Sequence, residues 1–429
     1  MKKIVIIIFL FTTMSFSLMI FNNLKENILL SEKNNSKINN TFAVYLKDSE
    51  EYTLSKTLPS KTDGYRFNHA ECKDATQIIW NYSLWSAEIS NIEDGEISCK
   101  LFFDKENSPA KDYILNHITT INTRNNLAIT LTNTTTGVIY ESDDDYGLTY
   151  YYAGAPTDNY LQFAGFWWRI IRINGDGTIR LIYAGNLSDY SAGLSNGYDD
   201  SSTLYQSIGA NLFNTSTNGQ RYIGYYSETS NLHGISDISN IATQLNTWYQ
   251  NHLLVYNEYI SNNTLFCNDR TAYTDETGNN EADWSNVPLY YGAYIRLQTE
   301  KEPSLKCSNN LDAFTVENAD NYGYSGNGAL TRPIGLITAD EVAYAGGVYN
   351  VSNNQYFLYT NTITWTMSPA RYDDGEGRMW HIGAPGGLNY NNGLVTVQRQ
   401  TRPVINLRAD VTLTGSGTAS DPYVVVGAE

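Results

Sequence analysis

Apolar positions in this chain come in short runs whose spacing changes from segment to segment. Lys2 and Lys3 precede an apolar run from Ile4 to Phe21, interrupted only by Thr12, Thr13, Ser15 and Ser17. That length suits a helix crossing a bilayer. The stretch Met19-Ile20-Phe21-Asn22-Asn23 is a poor cleavage site, so residues 1–21 read as a signal anchor with the positive end inside, or alternatively as a cleaved signal peptide. Residues 22–40 are polar, rich in Asn, Lys and Ser, and aperiodic, as in a flexible stalk.

Residues 41–105 follow a strand-like pattern and form a small β-rich module. Phe42 to Leu46, Ile78 to Trp80, Trp85 to Ile89 and Ile97 to Phe103 are strand candidates, separated by turn-rich stretches such as Pro59 to Tyr65. A core of this size is small, and a disulfide would offset that. Residues 106–145 read as a helix and a linker. Tyr113, Ile114, Leu115 and Ile118 have helical spacing, and the Asn/Thr-rich remainder ends in Asp143-Asp144-Asp145, a solvated acidic turn without the ligand spacing of a calcium loop.

Residues 146–429 form the large domain. Two apolar runs, Leu161 to Ile173 and Thr178 to Tyr183, flank Asn174-Gly175-Asp176-Gly177, which predicts a hairpin. Phe166, Trp168 and Ile170 alternate with Trp167, Arg169 and Ile171, so both faces of the first run carry apolar bulk, which predicts a central strand. A helix is expected from Ser236 as N-cap to about Leu254, with Ile238, Ile241, Leu245 and Trp248 on one face. Thr338 and Glu341 have the spacing of a capping box, which predicts a second helix. Arg402 to Leu407 and Tyr423 to Val426 read as late strands.

Charge and composition narrow the function classes. With 28 Lys and Arg against 45 Asp and Glu, the formal net charge is −17. Nucleic acid is therefore not an expected partner, because its phosphates are bound by clustered cations. The use of 34 Tyr and 8 Trp fits a β-rich exported protein. The four cysteines pair by proximity as Cys72–Cys99 and Cys267–Cys307, two local disulfides outside the membrane. No metal site and no cofactor are expected, since the cysteines lack zinc spacing and the five histidines are scattered.

Candidate chemistry concentrates between Ile363 and Leu407. Trp365 to Pro369 and Arg402 to Leu407 bracket a run of large polar and aromatic residues. Arg371, Tyr372, Asp373, Arg378, Trp380, His381, Asn389, Tyr390, Gln398 and Arg399 are the candidate ligand contacts. The mix of Tyr, Trp, Arg and Asn is what binding surfaces favour, because rigid amphipathic rings give contact area at low entropic cost. No catalytic residue is assigned, because no nucleophile, metal or phosphate-loop motif is present. The expectation is a cell-surface ligand-binding protein, adhesin or receptor-like, with a recognition face at residues 370–401. A structural envelope protein without a specific ligand, or a glycan-acting enzyme, are the alternatives.

The small module, with Gly64-Tyr65, Cys72, Trp80, Trp85 and Cys99 before Leu101-Phe102-Phe103, resembles one common in exported proteins of low-GC Gram-positive bacteria. In the large domain, Tyr151 to Ala155, Trp168 to Ile171, Phe266 to Thr271, Gly335 to Glu341, Trp365 to Pro369 and Arg402 to Leu407 resemble a functionally uncharacterised family of exported bacterial domains. The C-terminal half is also similar to the C-type-lectin-like fold, in the branch holding formylglycine-generating enzymes and the variable proteins of diversity-generating retroelements. The variable segment of those proteins occupies the place of Ala370 to Thr401. Gln400-Thr401 departs from the Gly-Val that usually precedes Arg-Pro. The resemblance implies an α+β chain in which a C-type-lectin-like domain follows a small all-β domain and an N-terminal membrane helix. It further implies an extracellular protein or glycan as partner. The N-terminal run places the chain on the outer face of the cell membrane as an anchor, or secretes it if the signal is cleaved.

Overall fold

In the computed structural model the described residues are 4–5, 40–48, 51–60, 65–73, 75–81, 85–90, 97–105, 108–187, 206–216, 219, 223–228, 230–318, 320–321 and 324–428. The fold is α+β and mostly β. The chain divides into two compact units, Met1–Glu106 and Asn107–Glu429. The expected signal segment at 1–21 and the stalk at 22–40 lie outside the described residues, apart from 4–5 and 40. Among the described residues no helix is long and apolar enough to cross a membrane.

In the smaller unit, a four-stranded sheet runs in the order Tyr52–Ser55, Asn40–Lys47, Ile97–Lys105, Tyr65–Cys72. Side chains alternate across a strand, so Phe102 and Phe103 face opposite ways. Phe103 is sealed beneath Phe67, Trp80 and Trp85, with ring centroids 5.6, 5.2 and 6.2 Å away. Trp80 sits on the hairpin of Gln77–Asn81 with Ser86–Ser90. Phe102 carries His69 and Tyr45 stacked at 4.4 and 5.0 Å. Cys72 and Cys99 are direct cross-strand partners and form the expected disulfide.

The larger unit is built on a nine-stranded sheet whose central strand is Phe166–Ile173. Every residue of that strand is buried. Ile179–Asn186 takes one edge, while Gly147–Tyr151 and Tyr160–Phe163 share the other. This matches the expected hairpin and central strand, except that the run from Leu161 turns back on itself at Ala164-Gly165 and gives two antiparallel strands. The Asn174 to Gly177 turn is itself buried, with Asp176 only 2% exposed. A Cβ on Gly175 would lie 2.5 Å from Asp144 Oδ1, so glycine is required by the close approach. Val404–Leu407 pairs with Ile179–Asn186, and Tyr423–Val425 pairs with Tyr160–Phe163, as the late strands.

The stretch before Tyr146 contributes to this sheet. Helix Pro109–His117 buries Ala110 and Ile114, and strands Thr120–Thr123 and Val138–Asp144 extend the sheet beyond Gly147–Tyr151. The expectation of a solvated turn at Asp143 to Asp145 is therefore corrected. Strand pairing places Asp144 against Arg172 at 2.5 Å, and Asp144 is 1% exposed. Asp145 accepts the Cys307 backbone N–H at 3.0 Å. Burial, and then the neighbouring Asp144 charge, push the Asp145 carboxyl up to about 7.

Both expected helices form, with one shift of boundary. Asn240–His252 is capped by Ser239, whose side chain accepts from the Ala242 N–H. Asp237–Ile238 instead pairs with Tyr226–Ser227, which takes Ser236 out of the capping position and leaves Ile238 exposed. The buried stripe is Ile241, Ala242, Leu245 and Tyr249, and Trp248 leans on Phe166 at 5.3 Å. Helix Ala339–Ala345 carries the full Thr338/Glu341 capping box.

Glu341 also ends in a buried ion network. Its Oε1 lies 3.0 Å from Arg172 Nε and 2.6 Å from Arg180 Nε. Burial alone would raise the Glu341 carboxyl, but Arg180 and Arg172 together hold it below the usual range. Next to it Arg296 bridges Asp269 at 2.7 Å and Asp340 at 2.8 Å. The second disulfide, Cys267–Cys307, closes beside these groups as expected. Disulfides of this kind belong to an extracellular or otherwise oxidising environment.

Candidate ligand-binding face

A second sheet of seven strands carries the candidate residues, with Thr364–Asp373 at its centre. Thr364–Asp373 and Glu376–Ile382 are joined by Asp374 and Gly375, with φ of 49° and 78°. Positive φ at both positions is the geometry of a tight two-residue hairpin, which Asp-Gly adopts readily. The turn sets the register: Arg371 opposes Arg378, Tyr372 opposes Gly377 and Asp373 opposes Glu376.

Directly opposed residues share a face of the sheet. Arg371 is also opposed on its other side by Tyr290, and Tyr290 by Tyr273. A row of Tyr273, Tyr290, Arg371 and Arg378 thus crosses four strands on one face, each side chain partly exposed. The Arg371 guanidinium lies 6.0 Å from the Tyr290 ring centre. Arg371 pairs with Asp373, and Arg378 with Glu376, each two positions along its own strand. These four side chains are 23%, 21%, 20% and 44% exposed in the order Arg371, Asp373, Arg378, Glu376. Burial would lower the Arg371 pKa, but the Asp373 carboxylate outweighs it and raises it.

An aromatic cluster adjoins the row through Tyr290, whose ring lies 4.9 Å from Tyr294. Tyr294 meets Tyr390 at 5.2 Å, and Tyr390 stacks on Tyr349 at 5.6 Å. Trp380 forms the floor, edge-on to Tyr349 and Tyr390 at 5.4 and 5.0 Å. Their polar ends form a string: Tyr349 O–H donates to the Tyr390 hydroxyl at 3.5 Å, Tyr390 O–H to Gln298 Oε1 at 2.8 Å, and Gln298 Nε2 to the Tyr294 hydroxyl at 2.8 Å. Burial pushes the Tyr290, Tyr294 and Tyr349 hydroxyls above their ordinary range, so they stay protonated at neutral pH.

Two arginines brace the turn that brings Tyr390 into place. Arg378 Nη1 donates to Asn391 O at 2.9 Å, and Arg399 Nη2 to Asn392 O at 2.8 Å. The turn lies so close to Glu376–Ile382 that a Cβ on Gly393 would stand 2.1 Å from Met379 O.

The ten expected contacts therefore divide. Arg371, Asp373 and Arg378 stand on the open row, Asn389 is half-exposed on the adjoining strand, and Gln398 is exposed. Trp380 and Tyr390, expected as open contacts, are 0% and 5% exposed, because Tyr349 and Tyr294 pack over them. Tyr372 alternates to the inner face and is 9% exposed. His381 is 2% exposed; burial and then the Arg399 charge lower its pKa to about 4, so it is a neutral core residue at pH 7. Arg399 is half-buried and holds the 389–393 turn. Tyr273, Tyr290, Gln298 and Tyr349 belong to the face but lie outside the expected segment, and Tyr294, itself 0% exposed, supports them from beneath. The Asp374-Gly375 dipeptide was the signal that could have placed Arg371 opposite Arg378.

Elsewhere, Arg172, Arg180, Arg296, Asp340 and Glu341 line a cavity of about 20 Å³. That is room for a water molecule and not for a substrate. Among the described residues no group of three His, Cys, Asp or Glu is placed to hold a metal ion. Comparison with family models, curated proteins and solved structures finds no match to this chain.

Proposed function

We propose that this chain is a cell-surface ligand-binding protein whose larger unit, a C-type-lectin-like scaffold, displays the tyrosine and arginine face as its contact surface. The N-terminal apolar run anchors it, or directs its export, and the partner is an extracellular protein or glycan. The observation that carries the reading is the cross-strand row Tyr273, Tyr290, Arg371 and Arg378 beside the tyrosine cluster. The row is preorganised by the hairpin turn and by its own ion pairs, so ordering it on binding costs little. Tyrosine and arginine are also the residues that dominate contact energies.

The test is capture by cells displaying the full chain, probed with a panel of immobilised extracellular proteins and with a printed glycan array. Capture by the parent chain, lost in Tyr290→Ala and in Arg371→Ala at unchanged thermal stability, supports the proposal. No capture on either surface, or capture indifferent to both changes, removes it.

A further inference from the structure

The face is specific enough in chemistry to indicate a ligand class, and this step rests on the reading above. We infer that it takes an uncharged carbohydrate, held by ring stacking and hydroxyl hydrogen bonds without a metal ion.

Charge comes first. Arg371 is engaged side-on by Asp373 through Nε and Nη2, and Arg378 is engaged by Glu376. The positive charges of the row are thus matched by carboxylates on the same face, and the chain as a whole carries −17. An anionic ligand would have to displace a carboxylate from each arginine and approach against that field. A neutral ligand meets no such barrier.

The polar geometry matches a sugar. A side-on Arg–carboxylate pair presents donor and acceptor side by side, which is the spacing of two adjacent hydroxyls on a ring. The string from Tyr349 through Tyr390 and Gln298 to Tyr294 alternates donors with acceptors. Tyr294 and Tyr390 are buried, so the string is open to a ligand at Tyr349 and Gln298, the partly exposed members, where sugar hydroxyls, which both donate and accept, can join it. The apolar part of the face is aromatic: Tyr273, Tyr290 and Tyr349 are partly exposed, and no member of the row or cluster is an exposed aliphatic residue.

The experiment applies the displayed full chain to a printed array of neutral, sialylated and sulfated glycans at low and high salt. The expected result is retention of neutral glycans, little affected by salt because no net charge is being neutralised. Tyr290→Ala and Arg371→Ala should each reduce that signal about tenfold. Asp373→Asn separates the cases: it removes an acceptor and should weaken a neutral ligand, whereas it frees Arg371 and would strengthen an anionic one. Binding confined to sialylated or sulfated glycans, a signal that collapses with salt, or gain on Asp373→Asn overturns the assignment. If no glycan is held but an immobilised protein is captured and then lost in Tyr290→Ala, the binding function stands and the carbohydrate assignment falls.

Discussion

Replacing Glu341 by Gln tests the reasoning about the core that supports the face. Glu341 is 3% exposed and its side chain serves three groups: the Thr338 backbone N–H at 2.9 Å within the capping box, Arg172 and Arg180. Glutamine keeps the size and one acceptor for the cap but removes the charge. Arg172 retains Asp144 at 2.5 Å. Arg180 is left with Asn406 Oδ1 at 3.3 Å and the Phe266 ring at 4.6 Å, and with no ion-pair carboxylate among the described residues. A buried guanidinium without its counter-charge costs about 3–5 kcal/mol. Thr338→Ala, which removes only the cap, costs about 1 kcal/mol.

Urea unfolding followed by tryptophan fluorescence reports both, because Trp168 and Trp365 lie in the same core. Unchanged urea slopes would show that the comparison concerns stability alone. Adding Arg180→Met to Glu341→Gln should recover at least about 2 kcal/mol, since the stranded cation is then gone. The folded-state pKa of Glu341 lies below its ordinary value, so its contribution is present above that value and lost as the pH falls through the folded one. The Gln variant should lack that acid loss. A Glu341→Gln cost no larger than that of Thr338→Ala, or strictly additive effects in the double variant, would refute the account.

Trp380→Ala should lower stability by about 3–5 kcal/mol, as loss of a fully buried ring does, whereas Tyr290→Ala should leave the melting temperature nearly unchanged; calorimetry of the two distinguishes floor from face. His381 has its pKa lowered to about 4, so its share of stability is present above the ordinary 6.5 and lost as the pH falls toward 4; His381→Gln should flatten that limb, worth up to about 3 kcal/mol. Asp145 is shifted the other way, from 3.8 up to about 7, so stability declines as the pH rises between those values; Asp145→Asn should match the parent at pH 4 and exceed it at pH 8 in denaturant titrations.

Much of the scaffold was legible because the signals were local. The Asn174 to Gly177 turn, the Thr338/Glu341 box and the two cysteine pairs each act over short stretches, and each forms as expected. The helix at 240–252 shows the limit of local reasoning. Serine is a capping residue type at both 236 and 239, and the cap falls to Ser239 and not to the expected Ser236 because Asp237–Ile238 pairs with a strand segment at 226–227. The Asp143 to Asp145 turn failed for a related reason. Its burial depends on Arg172, a strand away, and an acidic triplet carries no trace of that partner.

The face itself was only half legible, and the reason is geometric. Within Thr364–Asp373 and Glu376–Ile382, neighbouring residues point to opposite sides, so a continuous run of aromatic and polar residues cannot all be surface. Arg371, Asp373 and Arg378 fall outward, while Tyr372 and His381 fall inward. Trp380 lies two residues beyond Arg378 yet is sealed, because Tyr349 arrives from another segment to cover it. Tyrosine and tryptophan serve equally as core and as contact, so residue type could not decide between them; the cross-strand partner does. Tyr290 is on the face because it opposes Arg371, and Tyr273 because it opposes Tyr290. Pairings of that kind depend on the register of strands brought together from distant parts of the chain. Variation confined to residues 370–401 would therefore alter one half of the face while the half supplied by Tyr273, Tyr290 and Tyr349 stayed constant. A ligand read by both halves would keep its ring-stacking platform and change the hydroxyl pattern it must match.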